Sequence, residues 1–300
     1  MKKILPLFSL LVSTSLIAQD KKEIRPVQIF SSEKAINANT TELVGKGKMN
    51  FIVMHNFDDI GGSRGGIRNF FGLDNTADVR IGFQIGLGNN LDVVVSRAKA
   101  AGNVSRIVEL GMKYRFLQQT EDNSVPLSLA LFMNNGISTM AASDSPTDEN
   151  YFQNLGDRSS QVIQLIAAKK IGKVSLQLNP TFLNQGYVVP NDDKTMFALG
   201  AAVRFPVSQK VNIIIDYFHP FRSESSENFL FTSRGLKFYD PLGIGVEILT
   251  ARHVFHLNFT NSREILENRF LPRTISNWGK GEFRWGFNLA RKFTLWRDKK

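Results

Sequence analysis

Residues 77–87 alternate without a break. Ala77, Val79, Ile81, Phe83, Ile85 and Leu87 are apolar, and Asp78, Arg80, Gly82, Gln84 and Gly86 between them are polar or glycine. Successive side chains of a strand point to opposite faces, so this segment has one oily face and one wet face. The end of the chain repeats the design. Phe283, Trp285, Phe287, Leu289 and Phe293 share one face, and Lys280, Glu282, Arg284, Gly286, Asn288 and Lys292 the other. No helical period persists after residue 45.

About twelve such segments are expected: 46–57, 75–87, 90–98, 104–117, 126–137, 159–171, 173–184, 195–206, 209–219, 237–250, 252–260 and 279–293. The first and sixth are ambiguous, the sixth because Val162 and Ile166 on one face and Ile163 and Leu165 on the other are all apolar. Several run to about 10 residues or more, which suits a tilted strand crossing a bilayer. The connectors alternate in length. Gly88-Asn89, Gly172, Pro206–Gln209 and Thr250–Arg252 are tight turns, whereas 58–74, 138–158, 185–194, 220–236 and 261–278 are long and polar. Residues 99–103 and 118–125 are intermediate. Short turns at one end and long loops at the other are the mark of an outer-membrane barrel with an even strand number. The expected fold is therefore all-β: a single antiparallel transmembrane β-barrel of the outer-membrane type, with its long loops outside.

The oily faces fit a lipid boundary. Leu127, Leu129, Leu131 and Met133 form one, and Val211, Ile213, Ile215 and Tyr217 another. Charges on these faces, such as Arg97, Arg106 and Arg291, fall at strand ends. An arginine at the bilayer midplane of a barrel costs about 2–4 kcal/mol, falling towards zero at the interface. A secreted soluble β-sandwich also alternates, but it explains neither the long strands nor the lopsided loops.

Met1–Ala18 has a basic start at Lys2-Lys3, a short apolar middle and a small last residue, as in a cleaved secretory signal. Residues 19–45 are then expected to form a polar periplasmic segment, 46–296 the barrel and 297–300 a basic tail. Loss of Lys2 and Lys3 takes the formal charge from +10 to +8. The basic residues are scattered along an exported chain, which argues against nucleic acid and for anionic lipid headgroups. Charged residues at 21% and a mean hydropathy of −0.14 exclude a helical transporter. Cysteine is absent, which excludes disulfides, thiolate metal sites and a lipidated N-terminal cysteine.

A set of local motifs, in order along the chain, resembles an uncharacterised outer-membrane β-barrel family of Gram-negative bacteria, a domain of unknown function. The matching residues are Phe70-Phe71-Gly72-Leu73-Asp74 with the alternating Val79–Gly86, then Lys113–Gln119, Val125–Ser128, Phe197–Gly200, His253–Ser262 and Gly286–Arg291. They span roughly residues 28 to 295. The resemblance implies a barrel and an outer-membrane address; the partners expected of such a barrel are outer-membrane lipid and the barrel-assembly machinery. It supplies no substrate or catalytic residue. One departure is the end, where Arg297-Asp298-Lys299-Lys300 follows Trp296 and many barrels stop at an aromatic residue.

Reactive chemistry is thin. His253 and His256 are three apart, so on a strand they point to opposite faces, His256 into the lumen and His253 outward. Ser262 and Ser276 lie near them in sequence, but no Gly-x-Ser-x-Gly elbow exists. Gly61–Ile67 lacks the Lys-Ser/Thr of a phosphate loop, and Asp144, Asp148 and Glu149 lack calcium-loop spacing. No cofactor and no metal site is expected, and an enzyme is not the leading reading. The informative polar set is the inward one: Arg80, Glu109, Lys113, Arg115, Arg204, Asp216, Glu247 and Arg284. Acids and bases on opposing walls can pair across a narrow lumen or line a small solute pathway. The expected function is a small passive channel, or a structural barrel with external binding loops. The alternatives are a lipid-handling or lipid-hydrolysing barrel and the secreted sandwich.

Overall fold

The structure is a computed structural model and describes residues 25–100, 102–251 and 253–296. The expected signal (1–18) and basic tail (297–300) lie outside the described residues. Twelve strands form among the described residues. They are β1 (Lys48–Asp59), β2 (Thr76–Gly86), β3 (Leu91–Ala100), β4 (Arg106–Leu117), β5 (Ser128–Ser138) and β6 (Ser159–Ile171). The second half comprises β7 (Val174–Gln185), β8 (Thr195–Pro206), β9 (Val211–Phe221), β10 (Leu242–Leu249), β11 (His253–Thr260) and β12 (Arg284–Thr294). Each pairs antiparallel with its neighbours, and β1 pairs with β12 to close the barrel, from Lys48↔Thr294 to Asp59↔Arg284. A sandwich is thereby excluded. Among the described residues no helix is long and apolar enough to cross a membrane; the strands present the apolar belt. Phe197 at 64% exposure and Leu178 at 54% stand out from the wall, as a lipid-facing surface requires.

Most strand ends fall within about two residues of the sequence expectation, but two strands start five residues later. β10 begins at Leu242 rather than 237, because Pro241 offers no N–H to extend the ladder. β12 begins at Arg284 rather than 279, because the chain first makes a tight turn over Trp278–Lys280 closed by Gly281 at φ 74°.

Two helices sit in the long loops, where no helical period was expected. α1 (Glu224–Arg234) starts at Ser223, whose hydroxyl accepts from the Ser226 amide, and ends at the left-handed Gly235. Its acids, Glu224 and Glu227, lie in the first turn and Arg234 in the last, complementing the helix dipole. α2 (Glu267–Arg273) lies between β11 and β12 and is buried along most of its length.

The largest departure concerns residues 19–45. The described part of that segment does not lie free in a periplasm; residues 29–44 are almost entirely buried inside the barrel. The reason is composition. Val27, Ile29, Phe30, Ala35, Ile36, Ala38, Leu43 and Val44 give the segment an apolar surface of its own, and the inner wall supplies a matching one. The Val162/Ile163 ambiguity resolves on the same ground. Val162 and Ile166 are fully buried inside, whereas Ile163 and Leu165 face out. An inward apolar residue marks a wall that touches protein rather than water.

Candidate functional site

The turn end of the barrel holds both ends of the inserted segment. The Val27 amide donates to the Gln119 carbonyl at 2.7 Å, and Pro26 bridges Thr120. At the other limit Lys46 bridges Gly86 beside β1. Between these points the chain climbs into the lumen and returns. Ala35 and Ala38 close the tip with a 2.8 Å backbone bond, and Lys34 bridges Asn39 just below it. Glu42 ties the two legs together, accepting from the Ile29 and Phe30 amides at 3.0 and 3.2 Å.

The expected inward set meets this insert. Asp216 Oδ2 accepts from the amides of Ile36, Asn37 and Ala38 at 3.0, 2.6 and 2.8 Å, holding the tip of the segment. Lys113 Nζ donates to the carbonyls of Glu33 and Glu42 at 3.0 and 3.4 Å, one on each leg. Arg115, half-buried, faces the charges of Glu42 and Asp92. Gly243 admits the tip: a Cβ there would meet Asp216, Ile36 and Asn37 at 2.7–3.0 Å.

Four of the remaining residues pair with one another along the wall. Arg80 reaches Glu109 through Nε and Nη2 at 3.0 and 2.7 Å, and Asn134 donates to the other oxygen of Glu109 at 2.9 Å. Arg204 Nε donates to Glu247 Oε1 at 2.9 Å. These pairs join β2 to β4 and β8 to β10, not opposing walls, because the insert stands between the walls. Arg284 pairs with Asp59, and it donates to Ser276 Oγ at 2.8 Å and the Asn261 carbonyl at 2.7 Å. All eight residues are thus gathered at the inner wall, and the structure adds partners that the alternation alone did not single out. Glu33 binds Asn50 at 2.7 Å, and Asp92 accepts from Val44 and Gln84 at 2.7 and 2.8 Å.

The long-loop end contributes a second insert, α2. Glu267 pairs with Lys34 and accepts from Asn39 at 2.9 Å, so the two inserts touch. Phe270 meets Phe218 of β9 edge to face with ring centroids 5.4 Å apart, in one apolar cluster with Ile29, Phe30 and Ala38. Asn268 lies so close to Gly136 of β5 that no Cβ fits there. Between insert and wall remains a cavity of about 30 Å³ near Lys34, Met54 and His256, space for about two waters.

Above α2 the loops are held by charge. Glu149 binds Arg273 at 2.9 Å and Arg269 at 3.4 Å, and Asp192 binds Arg273 at 2.8 Å and also Arg222. Burial works against ionised Glu149, but Arg273 and Arg269 prevail and hold its carboxyl down at about 2. Asp192 is likewise lowered: desolvation opposes its charge, and Arg273 and Arg222 outweigh it.

His256, Glu247 and Ser32 are not arranged as a hydrolytic relay. His256 does face the lumen, but Glu247 and Ser32 both approach it at the same nitrogen, Nε2, at 3.2 and 3.4 Å. A base oriented by a carboxylate needs its two ring nitrogens divided between the two partners. Ser276 is committed to Arg284.

The family model of a membrane bound beta barrel domain (DUF5777) matches residues 30–293. No curated protein sequence matches the chain significantly. Among solved structures, the KdgM porin in complex with disordered oligogalacturonate is similar at 10% identity, with 81% of this chain and 99% of that one covered and a TM-score of 0.49. The NanC porin is similar at 5% identity, with coverages of 82% and 100% and a TM-score of 0.47. The COG4313 outer membrane channel from Pseudomonas putida F1 is similar at 12% identity, with coverages of 84% and 98% and a TM-score of 0.45. Likeness at this level speaks to no substrate.

Proposed function

The chain belongs to the membrane bound beta barrel domain family, and on that premise we propose that it is a closed outer-membrane barrel whose loop cap does its work. One observation carries this reading. An N-terminal insert from the turn end and α2 from the loop end meet inside the barrel at Lys34 and Glu267. Of the two roles that alternation leaves open, a passive channel and a structural barrel with binding loops, the filled lumen favours the second. A lipid hydrolase gains no support, since the one histidine near a serine and a carboxylate is buried inside the wall.

In this reading an N-terminal signal exports the chain, and the assembly machinery places it in outer-membrane lipid. The short turns face the periplasm and the long loops the exterior. Five bases against three acids make the inner set net basic, but Glu109, Asp216 and Glu247 are saturated by Arg80, by the insert's amides and by Arg204. The charges act as struts rather than as a filter. Planar bilayers test this directly. The purified barrel is expected to be silent; steady conductance from the intact chain overturns the reading.

A further inference from the structure

The loop end carries a concave space of about 490 Å³ directly above α2, a volume within the roughly 300–1,000 Å³ of small-molecule sites. Arginines dominate it: Arg64, Arg234, Arg263, Arg269 and Arg273, drawn from the β1–β2 loop, from α1 and from the β11–β12 loop. The acids around it are Asp148, Glu149 and Glu264.

The charge is unevenly spent. Arg273 is taken up by Glu149 and Asp192, and Arg269 leans on Glu149. Arg64, Arg234 and Arg263 have no carboxylate partner among the described residues. Arg234 donates only to the Thr147 carbonyl, and Arg263 Nε is buried with no acceptor. Burial pushes the Glu264 carboxyl above its ordinary value, with Arg269 and Arg263 opposing. Guanidinium groups present planar forks that match phosphate and carboxylate oxygens two at a time. Three unspent forks on separate loops, over a floor already ordered by Glu149, are arranged for a ligand with several anionic groups.

We propose that this vestibule binds a small ligand bearing two or more phosphate or carboxylate groups, with Arg64, Arg234 and Arg263 as its forks. The inference rests on the reading of the loop cap as the working part. The ligand's anionic groups can belong to a free solute or to the headgroup of a neighbouring anionic lipid.

The test uses the folded barrel in neutral detergent, with inorganic tripolyphosphate as probe, titrated calorimetrically at about 0.15 M salt so that diffuse surface attraction is screened. One saturable site is expected, weakened about tenfold or more in the double variant Arg64→Gln/Arg234→Gln and unchanged in Lys237→Gln, which lies outside the pocket. Both variants change exposed side chains, and unheated gel mobility checks their folding. A second arm repeats the titration in nanodiscs of phosphatidylcholine with and without cardiolipin, whose headgroup carries two phosphates. Competition by the anionic lipid that depends on Arg64 and Arg234 assigns the site to a headgroup; unchanged binding assigns it to a solute. No saturable binding, equal loss in Lys237→Gln, or wild-type affinity in the double variant overturns the proposal. A conducting wild type overturns the closed-barrel reading alone, and a silent barrel that ignores tripolyphosphate overturns the site alone.

Discussion

Lys34 and Glu267 form an ion pair inside the barrel although one belongs to a segment anchored at the turn end and the other to a helix hung from the loop end. Glu267 is fully buried and also accepts from Asn39, so the pair is the point at which the two inserts support each other. Removing one partner of a buried pair costs about 3–5 kcal/mol, while replacing both by apolar groups of similar size can be neutral. Lys34→Met and Glu267→Leu alone are each expected to lower the urea midpoint of the folded barrel, and the double variant to recover most of the loss. Additive losses would mean that the contact carries no coupling.

Asp216 should govern the tip. Its carboxylate satisfies three backbone amides that have no other partner in the wall, and hydrogen bonds to a charged group contribute about 1.5–3 kcal/mol each. The chain has no cysteine, so Thr41→Cys is a clean reporter at a fully buried position on the returning leg. In the wild-type background it should resist a water-soluble thiol reagent. Adding Asp216→Ala should raise its labelling rate severalfold while the barrel keeps its unheated gel mobility.

Phe270 is the apolar counterpart. It is fully buried against Phe218 and the N-terminal insert, and truncating a buried phenylalanine costs about 3–5 kcal/mol. Phe270→Ala is expected to loosen α2, seen as brief conductance events in bilayers where the wild type is silent.

The acid response of the cap follows from Glu149. Its carboxyl is held at about 2, below the ordinary 4.5. A depressed carboxyl contributes stability that is complete above its unfolded value and is lost as pH falls through the folded one. Proteolysis of the loop 139–158 should therefore be unchanged from neutral pH to about 5 and accelerate between about 4.5 and 2. In Glu149→Gln that acid-dependent step should be missing and the loop should be cleaved readily throughout.

Orientation is open to whole-cell labelling. Single cysteines at Ser145 and Ser225, in the long loops, should react with an impermeant thiol reagent, and those at Asn89 and Ser208, in the short turns, should not. The reverse pattern would invert the barrel.

The wall was legible because its signal is local. A strand such as β2 declares both its faces in eleven residues, and the wet face correctly contained Arg80. The inserts were not legible in the same way, since they are held by partners far away in sequence: Asn37 by Asp216, Lys34 by Glu267. The signals that existed were weak. Val162 and Ile166 on an inward face mean a dry wall, and Ser223 with Glu224, Glu227 and Gly235 spells the start and stop of a helix too short to show a period. Alternation placed the eight expected charges on inward faces but did not single out Asp78 and Asp92, which are buried on the same side, and partner choice depends on what fills the space between walls, which no single strand encodes.

The path of residues 26–45 has a mechanical corollary. Both of its ends leave through the same mouth, where the bridges Pro26–Thr120 and Lys46–Gly86 and the Val27–Gln119 bond tie them to the turn end. The segment therefore enters and leaves on one side, a stopper rather than a rivet. Tension applied upstream of residue 26 would peel it leg first, breaking contacts one after another in series. The ladder from Lys48↔Thr294 onward bears load in parallel and would stay shut. A barrel built this way can be uncorked from one side with its hoop intact.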